Sequence, residues 1–397
     1  FLSVDTGLTY NGWEEMKSDS QDLTAWRCGF GNGRGDMGLN SAGYSNSRRS
    51  SPIQLAGNWT GLSNIGYGGG SMTLGSRSDG TLWSWGWNTD GGLGQNDRVD
   101  QSSPTQVGTD TTWSKYFNCG PGAKAVTAAK TDGTLWSWGY NSYGGLGQNS
   151  TTKISSLTQI PGTWDVSAYR AIAGGGGGGG VTLVVKGNGE LWAWGYNGNG
   201  EMGQNDKTSR SSPVQIGTGT DWKEVTKLYY GAMGVKTNGT MWAWGSNETG
   251  QLGQNTPNNT GRVSSPIQIP GTTWNTIFSS HSPQCIGAIK TDGTLWMWGK
   301  NNYGGLGQNQ APAQLAGLSS PTQVPGTTWK TGGQNTESGI WLVKTDGTLW
   351  AQGYNYVGSL GLNVAYSSFS SPVQVGTSTD WNIVGGNEKS MWGLRYT

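Results

Sequence analysis

The sequence predicts an all-β chain folded as a closed seven-bladed β-propeller. Three landmarks lead there, each counted seven times in 397 residues. The first is the phrase Thr-Asp-Gly-Thr-Leu-Trp-x-Trp-Gly, followed by an Asn/Gly loop that ends in Leu-Gly-Gln-Asn. Its first Trp falls at Trp26, Trp83, Trp136, Trp192, Trp242, Trp296 and Trp350, at spacings of 50 to 57 residues. The second is Ser-Ser-Pro-x-Gln-Val/Ile, from Ser51-Pro52 to Ser371-Pro372, with Ser156-Leu157 as the variant without Pro. The third is a lone Trp shortly after it: Trp59, Trp113, Trp164, Trp222, Trp274, Trp329 and Trp381. A period of about 50 residues marks a repeat architecture whose units bury their faces only by stacking on one another.

Each unit reads as strands. Ala125–Lys130 and Thr134–Trp138 flank Asp132-Gly133, and the pair predicts a two-residue type I′ hairpin with both central residues at positive φ. Asp292-Gly293, Asp346-Gly347, Asn188-Gly189 and Asn238-Gly239 repeat the device. In Leu135-Trp136-Ser137-Trp138-Gly139 the period-two alternation sets both Trp on one face and Leu and Ser on the other, as stacked sheets require. The seven leading tryptophans, Trp26 to Trp350, are therefore expected as buried inter-blade side chains. The glycines of Gly145–Asn149 suit a tight loop, and its amides can satisfy backbone groups.

The ends predict how the ring closes. Ser390–Thr397 has the pattern of the strand before an Asp-Gly turn and then stops, whereas Asp22–Gly29 has the pattern of the strand after one. Residues 390–397 are expected beside residues 22–29. This assigns residues 21–397 to the propeller and leaves residues 1–20 as an N-terminal extension or lead-in. Residue 1 is Phe, so the sequence is expected to begin after a processed leader or inside a longer chain.

Composition restricts function. Gly contributes 71 residues and Trp 23, and only 12% of residues are charged, about half the usual share. Lys plus Arg number 25 against 24 Asp plus Glu, and no basic run exceeds Arg48-Arg49. Phosphate recognition needs a surplus of cations, so a nucleic-acid partner is not expected. No apolar run approaches a membrane span. Cys28, Cys119 and Cys285 define neither a disulfide framework nor a zinc pattern.

Candidate chemistry meets simpler explanations. The single histidine, His281, sits in Ser-Ser-His-Ser-Pro and reads as a loop residue. Asp90, Asp132, Asp292 and Asp346 each precede one Gly, whereas calcium loops need several closely spaced oxygen ligands. Gly174–Gly180 lacks the ending of a phosphate loop and falls where an innermost strand should begin. Arg34-Gly35-Asp36 lies in a loop that calls for Gly and Asp in any case. Asn-x-Ser/Thr triplets at Asn58, Asn149, Asn238, Asn247 and Asn258 follow from a chain rich in Asn and Thr. No catalytic set, cofactor site or metal site is predicted, and the chain is expected not to be an enzyme.

A Gly-rich strand, then Asp-Gly, then Leu-Trp-x-Trp-Gly-x-Asn-x-x-Gly-x-Leu-Gly resembles the repeat of regulator-of-chromosome-condensation (RCC1-like) proteins. The resemblance spans nearly the whole chain, and its bacterial or bacteriophage type is the expected subgroup. It implies a seven-bladed propeller closed by the two termini. Family functions include nucleotide exchange on a small GTPase, chromatin binding, ultraviolet sensing and secreted enzyme inhibition, and none transfers residue by residue. Plant ultraviolet receptors of this type use Gly-Trp-Arg-His-Thr; here Trp26-Arg27 is followed by Cys28. The expected function is a non-enzymatic scaffold on a virion surface, in a bacteriophage tail, fibre or decoration protein, or outside the cell. The expected partners are other proteins of a larger assembly, or a host surface protein or glycan, with a homo-oligomer left open. The loops expected to bind are Asp97–Gln101, Ser150–Ile154, Asp206–Arg210, Thr256–Val263 and Gln310–Leu318. The alternatives are a secreted or surface bacterial protein that binds a protein or glycan, and an intracellular exchange factor or chromatin binder.

Overall fold

The structure is a computed structural model. It describes residues 23–30, 35, 37–38, 48–67, 70–119, 125–164, 171–175, 180–256, 261–279, 285–334, 339–386 and 390–396. Phe1–Ser20, His281, Arg34, Asp36, Asn258 and the middle of the Gly174–Gly180 run lie outside them.

Twenty-eight strands form seven four-stranded antiparallel sheets. The chain enters with β1 (Leu23–Phe30) and β2 (Arg48–Asn58). Blade 2 follows as β3 (Gly61–Tyr67), β4 (Gly70–Ser76), β5 (Leu82–Gly86) and β6 (Gln101–Gln106). Blade 3 is β7 (Trp113–Cys119), β8 (Ala125–Lys130), β9 (Leu135–Gly139) and β10 (Ile154–Gln159). Blade 4 is β11 (Ala171–Gly175), β12 (Val181–Val185), β13 (Leu191–Gly195) and β14 (Arg210–Gln215). Blade 5 is β15 (Trp222–Leu228), β16 (Gly231–Lys236), β17 (Met241–Ser246) and β18 (Arg262–Ile269). Blade 6 is β19 (Trp274–Ser279), β20 (Cys285–Lys290), β21 (Leu295–Lys300) and β22 (Gly317–Gln323). Blade 7 is β23 (Trp329–Gln334), β24 (Gly339–Lys344), β25 (Leu349–Asn355) and β26 (Ser367–Gln374), and the chain ends with β27 (Trp381–Gly386) and β28 (Ser390–Tyr396).

Blade 1 has the order β2-β1-β28-β27, with Leu23 opposite Tyr396 and Gly29 opposite Ser390. The two termini thus complete one sheet, as the halved repeat at each end requires. The strands β3, β7, β11, β15, β19, β23 and β27 touch one another in a ring around the axis. The Ser-Ser-Pro strands are outermost and half-exposed, an edge position that tolerates a residue without an N–H. Each described register shifts there, as between Ala193 and Gly195, so the Pro falls in a bulge rather than in a ladder, and blade 3 with Leu157 shifts likewise.

Three expectations need correction. The hairpins are not type I′. In the blade 3 hairpin Gly133 has φ +89°, while Asp132 is absent from the left-handed residues. The Gly133 N–H bonds the Lys130 carbonyl and the Lys130 N–H bonds the Thr134 carbonyl, which is a three-residue loop with Gly in the left-handed place. Gly293 and Gly347 repeat it at φ +75° and +76°, with Asp292 and Asp346 likewise outside the left-handed set. Second, β11 ends at Gly175, so the glycine run closes the innermost strand instead of opening it. Third, the leading tryptophans are half-buried, whereas the second Trp of the phrase is the deep one: Trp85, Trp138, Trp194, Trp244 and Trp298 are 0% exposed. Alternation places both on one face, but the first stands nearer the open hairpin edge.

Candidate functional site

Each blade has two edges along the axis. One bears the Asp-Gly hairpins, and the other bears the Asn/Gly loops.

At the hairpin edge a three-residue relay ends in the first Trp. The Trp136 indole N–H donates to Thr134 Oγ1 at 2.8 Å, and the Thr134 hydroxyl and N–H both donate to Asp132 Oδ1. Asp79, Asp292 and Asp346 repeat the arrangement with Thr81, Thr294 and Thr348. These hydrogen bonds hold the Asp79, Asp132, Asp292 and Asp346 carboxyls below their usual range. A turn-forming carboxylate so engaged explains the repeated Asp. A cation that sequence reading missed lies over the same Trp. Arg77, Lys130, Lys186, Lys236, Lys290, Lys344 and Arg395 each sit over two indoles, the leading Trp and the lone Trp. Lys290 Nζ, for example, is 4.0 Å from the Trp296 ring and 4.8 Å from that of Trp274. The signal was present, because Lys or Arg stands two residues before the turn dipeptide in six repeats. Acid partners join some of them. Lys130 bonds Asp110 and holds its carboxyl down at about 2, and Arg395 makes two bonds to Asp380.

At the loop edge the second Trp links neighbouring blades. Trp138, Trp194, Trp244 and Trp298 donate their indole N–H to Gly92, Gly145, Glu201 and Gln251 carbonyls on the preceding blade's loop. Gln352 replaces Trp in blade 7 and makes the same bond to Gly305, at 2.8 Å. Cys28 replaces it in blade 1, and its thiol donates to Ser359 O. Burial raises the Cys28 thiol pKa far above its ordinary value. The space left by Cys28 is filled from across the interface. Gly94, Gly147, Gly203 and Gly253, all left-handed, would bring a Cβ to 2.9–3.2 Å from the next blade's indole nitrogen. Gly361 instead abuts Trp341 of its own blade. Each loop is fixed from within, since Asn141 Oδ1 accepts the Leu146 N–H and five other blades repeat the bond. Asn247 is one of these buried asparagines, so its Asn-x-Ser/Thr triplet is occupied by the fold.

Ionisable groups also occur on the inner strand of blade 5. Glu224 is buried and accepts from Thr276 Oγ1 at 3.1 Å on β19. Burial raises its pKa to about 7, against an opposing effect of Lys223. Lys223 donates to Asn275 O and Oδ1 in the same blade contact.

A column of tyrosines lies at the loop edge of blades 6 and 7, and extends a pair that blades 3 and 4 also have, Tyr143 against Tyr196 at 5.1 Å. Tyr303 and Tyr354 stack at 3.9 Å and 20°, Tyr354 and Tyr356 at 5.7 Å and 9°, and Tyr366 meets Tyr356 edge-on at 5.1 Å. Tyr303, Tyr356 and Tyr366 are 45%, 43% and 65% exposed. Tyr303 and Tyr366 have φ +57° and +58°, left-handed backbone that costs a bulky residue about 1–3 kcal/mol. Among the described residues, the other left-handed ones apart from glycine are the six periodic loop asparagines and Thr328. Of the loops expected to bind, Gln310–Leu318 adjoins this column, bonded through Asn301. Tyr366, which follows Leu362-Asn363, lies in a loop that sequence reading passed over, and no single-blade pattern signals that two blades bring these rings together.

This architecture defines a rigid closed propeller whose interior groups are taken up by holding blades together, the class of β-propeller that serves as a protein-interaction domain. Residues 79–122, 188–234, 238–282 and 292–330 match the Regulator of chromosome condensation (RCC1) repeat. It is 29% identical over 163 residues to the ultraviolet-B receptor UVR8 of Arabidopsis thaliana, across 40% of this chain and 34% of that protein. It is 26% identical to the mitochondrial RCC1 domain-containing protein RUG3 of the same plant, across 45% and 39%. The matched segments span little more than a third of those relatives. Among solved structures, Prp20p of Saccharomyces cerevisiae superposes with TM-score 0.79 at 16% identity, covering 98% of this chain and 93% of that one. Human WBSCR16 gives 0.74 at 19%, covering 96% and 100%. At these identities the likeness is one of fold.

Proposed function

We propose that the chain is a non-enzymatic recognition module that works outside the cell, displayed on a virion or cell surface and binding through its loop edge. The observation that carries this reading is the division of labour among its aromatic residues. The periodic tryptophans and their cations are engaged in holding the blades, whereas the tyrosines of blades 6 and 7 stand exposed as a column, with Tyr303 and Tyr366 on left-handed backbone. Strain is retained where a rigid scaffold imposes it, and exposed loop aromatics on such a scaffold suit binding. The low charge, 12% of residues with a net +1, favours an uncharged partner surface over nucleic acid. A bacteriophage tail, fibre or decoration protein is the specific setting we favour, and a secreted bacterial binding protein is the alternative.

Two measurements test this. Labelled protein is expected to bind intact bacterial cells, and a variant with Tyr303, Tyr356 and Tyr366 all changed to Ala is expected to lose that binding while it stays folded. Undiminished binding by the triple variant would refute loop-edge recognition. Peptide mass spectrometry of purified phage particles then separates virion display from secretion.

A further inference from the structure

We infer that the tyrosine column of blades 6 and 7 is a binding site for a neutral saccharide. The inference rests on the loop-edge reading above and names the ligand's chemistry.

The first argument is charge. Residues 301–318 and 354–368, which supply the column and its loops, contain no Asp, Glu, Lys, Arg or His. The polar side chains within these segments, apart from the phenols, are Asn, Gln and Ser, and the exposed Lys300 stands at their edge. A single-stranded nucleic acid stacks on aromatic rings too, but needs a cationic groove to follow its backbone. An acidic or basic peptide would likewise need opposite charge. An uncharged polyol needs neither.

The second argument is the form of the aromatic surface. A pyranose ring presents weakly positive C–H groups on one face and hydroxyls around its rim. The negative face of a phenol ring attracts the former, and phenolic hydroxyls and side-chain amides bond the latter. Tyr303 and Tyr366, at the two ends of the column, are its most exposed members. Tyr354 and Tyr356 lie between them and extend the aromatic surface across two blades.

The third argument is preorganisation. Tyr303 belongs to a short 3-10 turn, Asn302–Gly304, with φ +57° and ψ +25°. Tyr143, at the equivalent place in blade 3, is not left-handed. The Tyr366 backbone N–H bonds the Asn355 carbonyl at 2.9 Å, and Asn355 Nδ2 bonds the Val364 carbonyl at 2.8 Å, so the loop that carries the ring is fixed at its base. Rings fixed before binding lose little freedom on contact.

The test is affinity electrophoresis of the full chain in gels that contain dextran, yeast mannan, mixed-linkage glucan or galactomannan, with alginate and heparin as charged comparisons. At least one neutral polysaccharide is expected to retard the protein, and the charged ones are not. Tyr303→Ala and Tyr366→Ala should each weaken retardation at least tenfold. Tyr303→Asn removes the ring but suits left-handed backbone, so it separates loss of binding from loss of fold and should weaken retardation equally. Tyr303→Phe should retain most of it, and Tyr143→Ala should leave it unchanged. No retardation by any neutral polysaccharide overturns the inference, as does full retardation of Tyr303→Asn and Tyr366→Ala. If binding to cells needs the loop edge but is abolished by trypsin and indifferent to periodate, loop-edge recognition stands and the saccharide fails.

Discussion

The two edges of the ring treat the same repeat differently. At the hairpin edge the blades are nearly alike, each with a leading Trp bonded to the side chain two residues before it and covered by a Lys or Arg. At the loop edge the second Trp gives way twice, to Gln352 and Cys28, and the loops of blades 6 and 7 acquire exposed tyrosines. The uniform edge is shallow and partly solvated, so its groups contribute little singly. The variable edge contains the deepest side chains, yet it is also the edge that has diverged. A surface can change where the layer beneath it is fixed by tight packing.

The largest expected effect compares the two tryptophans of one phrase. Trp194 is buried and bonded to Gly145 O on the neighbouring blade, and Trp192 is half-buried. Trp194→Ala should cost about 3–5 kcal/mol in chemical denaturation, and Trp192→Ala about 1–2 kcal/mol. Equal losses would break the distinction between the edges.

The second test concerns the exchange of volume between blades 7 and 1. Cys28→Trp alone should overpack against Trp341 and cost about 1–3 kcal/mol. Trp341→Leu alone should leave a cavity and cost about 2 kcal/mol or more. Together they restore the Leu-against-Trp pairing of Leu74 with Trp138, both members of one core cluster. The double variant should therefore be more stable than the two separate losses predict when added. Strict additivity would show that Trp341 does not fill the place of the missing Trp.

Much of this fold was legible before any coordinates. Three landmarks, each found seven times, fixed the blade count, and the half-repeats at residues 22–29 and 390–397 fixed the closure, because a hairpin missing one strand has one place to find it. The hairpin class was misjudged because Asp-Gly serves two loop types, and the choice depends on Lys130, Thr131 and Thr134 around it. The depth of the two tryptophans was hidden because alternation gives the face of a side chain but not its distance from an open edge. The replacement of a Trp by Cys28 was visible, but its compensation by Trp341 was not, since that contact joins different strands of different blades. The tyrosine column was illegible for the same reason.

A smaller effect should follow pH. Burial raises Glu224 to about 7 in the folded chain, against an ordinary value of 4.5. Between those values the folded state binds the proton that the unfolded state has lost, so stability falls as pH rises from about 4.5 to 7 and levels off above. Glu224→Gln should therefore stabilise the protein by roughly 1–3 kcal/mol at pH 8, and have little effect near pH 4. A variant equally stabilised at both values would mean that the carboxylate charge is not what the contact with Thr276 and Ile277 disfavours.

The smallest expected effect tests the hairpin edge itself. Lys290 covers Trp296 and Trp274 and makes none of the ion pairs among the described residues, although its charge lowers the Asp292 carboxyl, whereas Lys130, Lys186 and Lys236 are each ion-paired with a carboxylate. Lys290→Met keeps an unbranched apolar stem over the rings and removes the charge. A cation over an aromatic face contributes about 0.5–1 kcal/mol at an exposed site, so denaturation should show a loss of that order. The loss should shrink in a Trp296→Leu background, where the nearer of the two rings is gone and Trp274 remains. If Lys290→Met is neutral or stabilising, the lysines act at this edge through their stems alone. The seven-fold cation would then be a solvated cover rather than an attractive contact, and the uniformity of the hairpin edge would rest on the bond from each leading Trp to the side chain two residues before it.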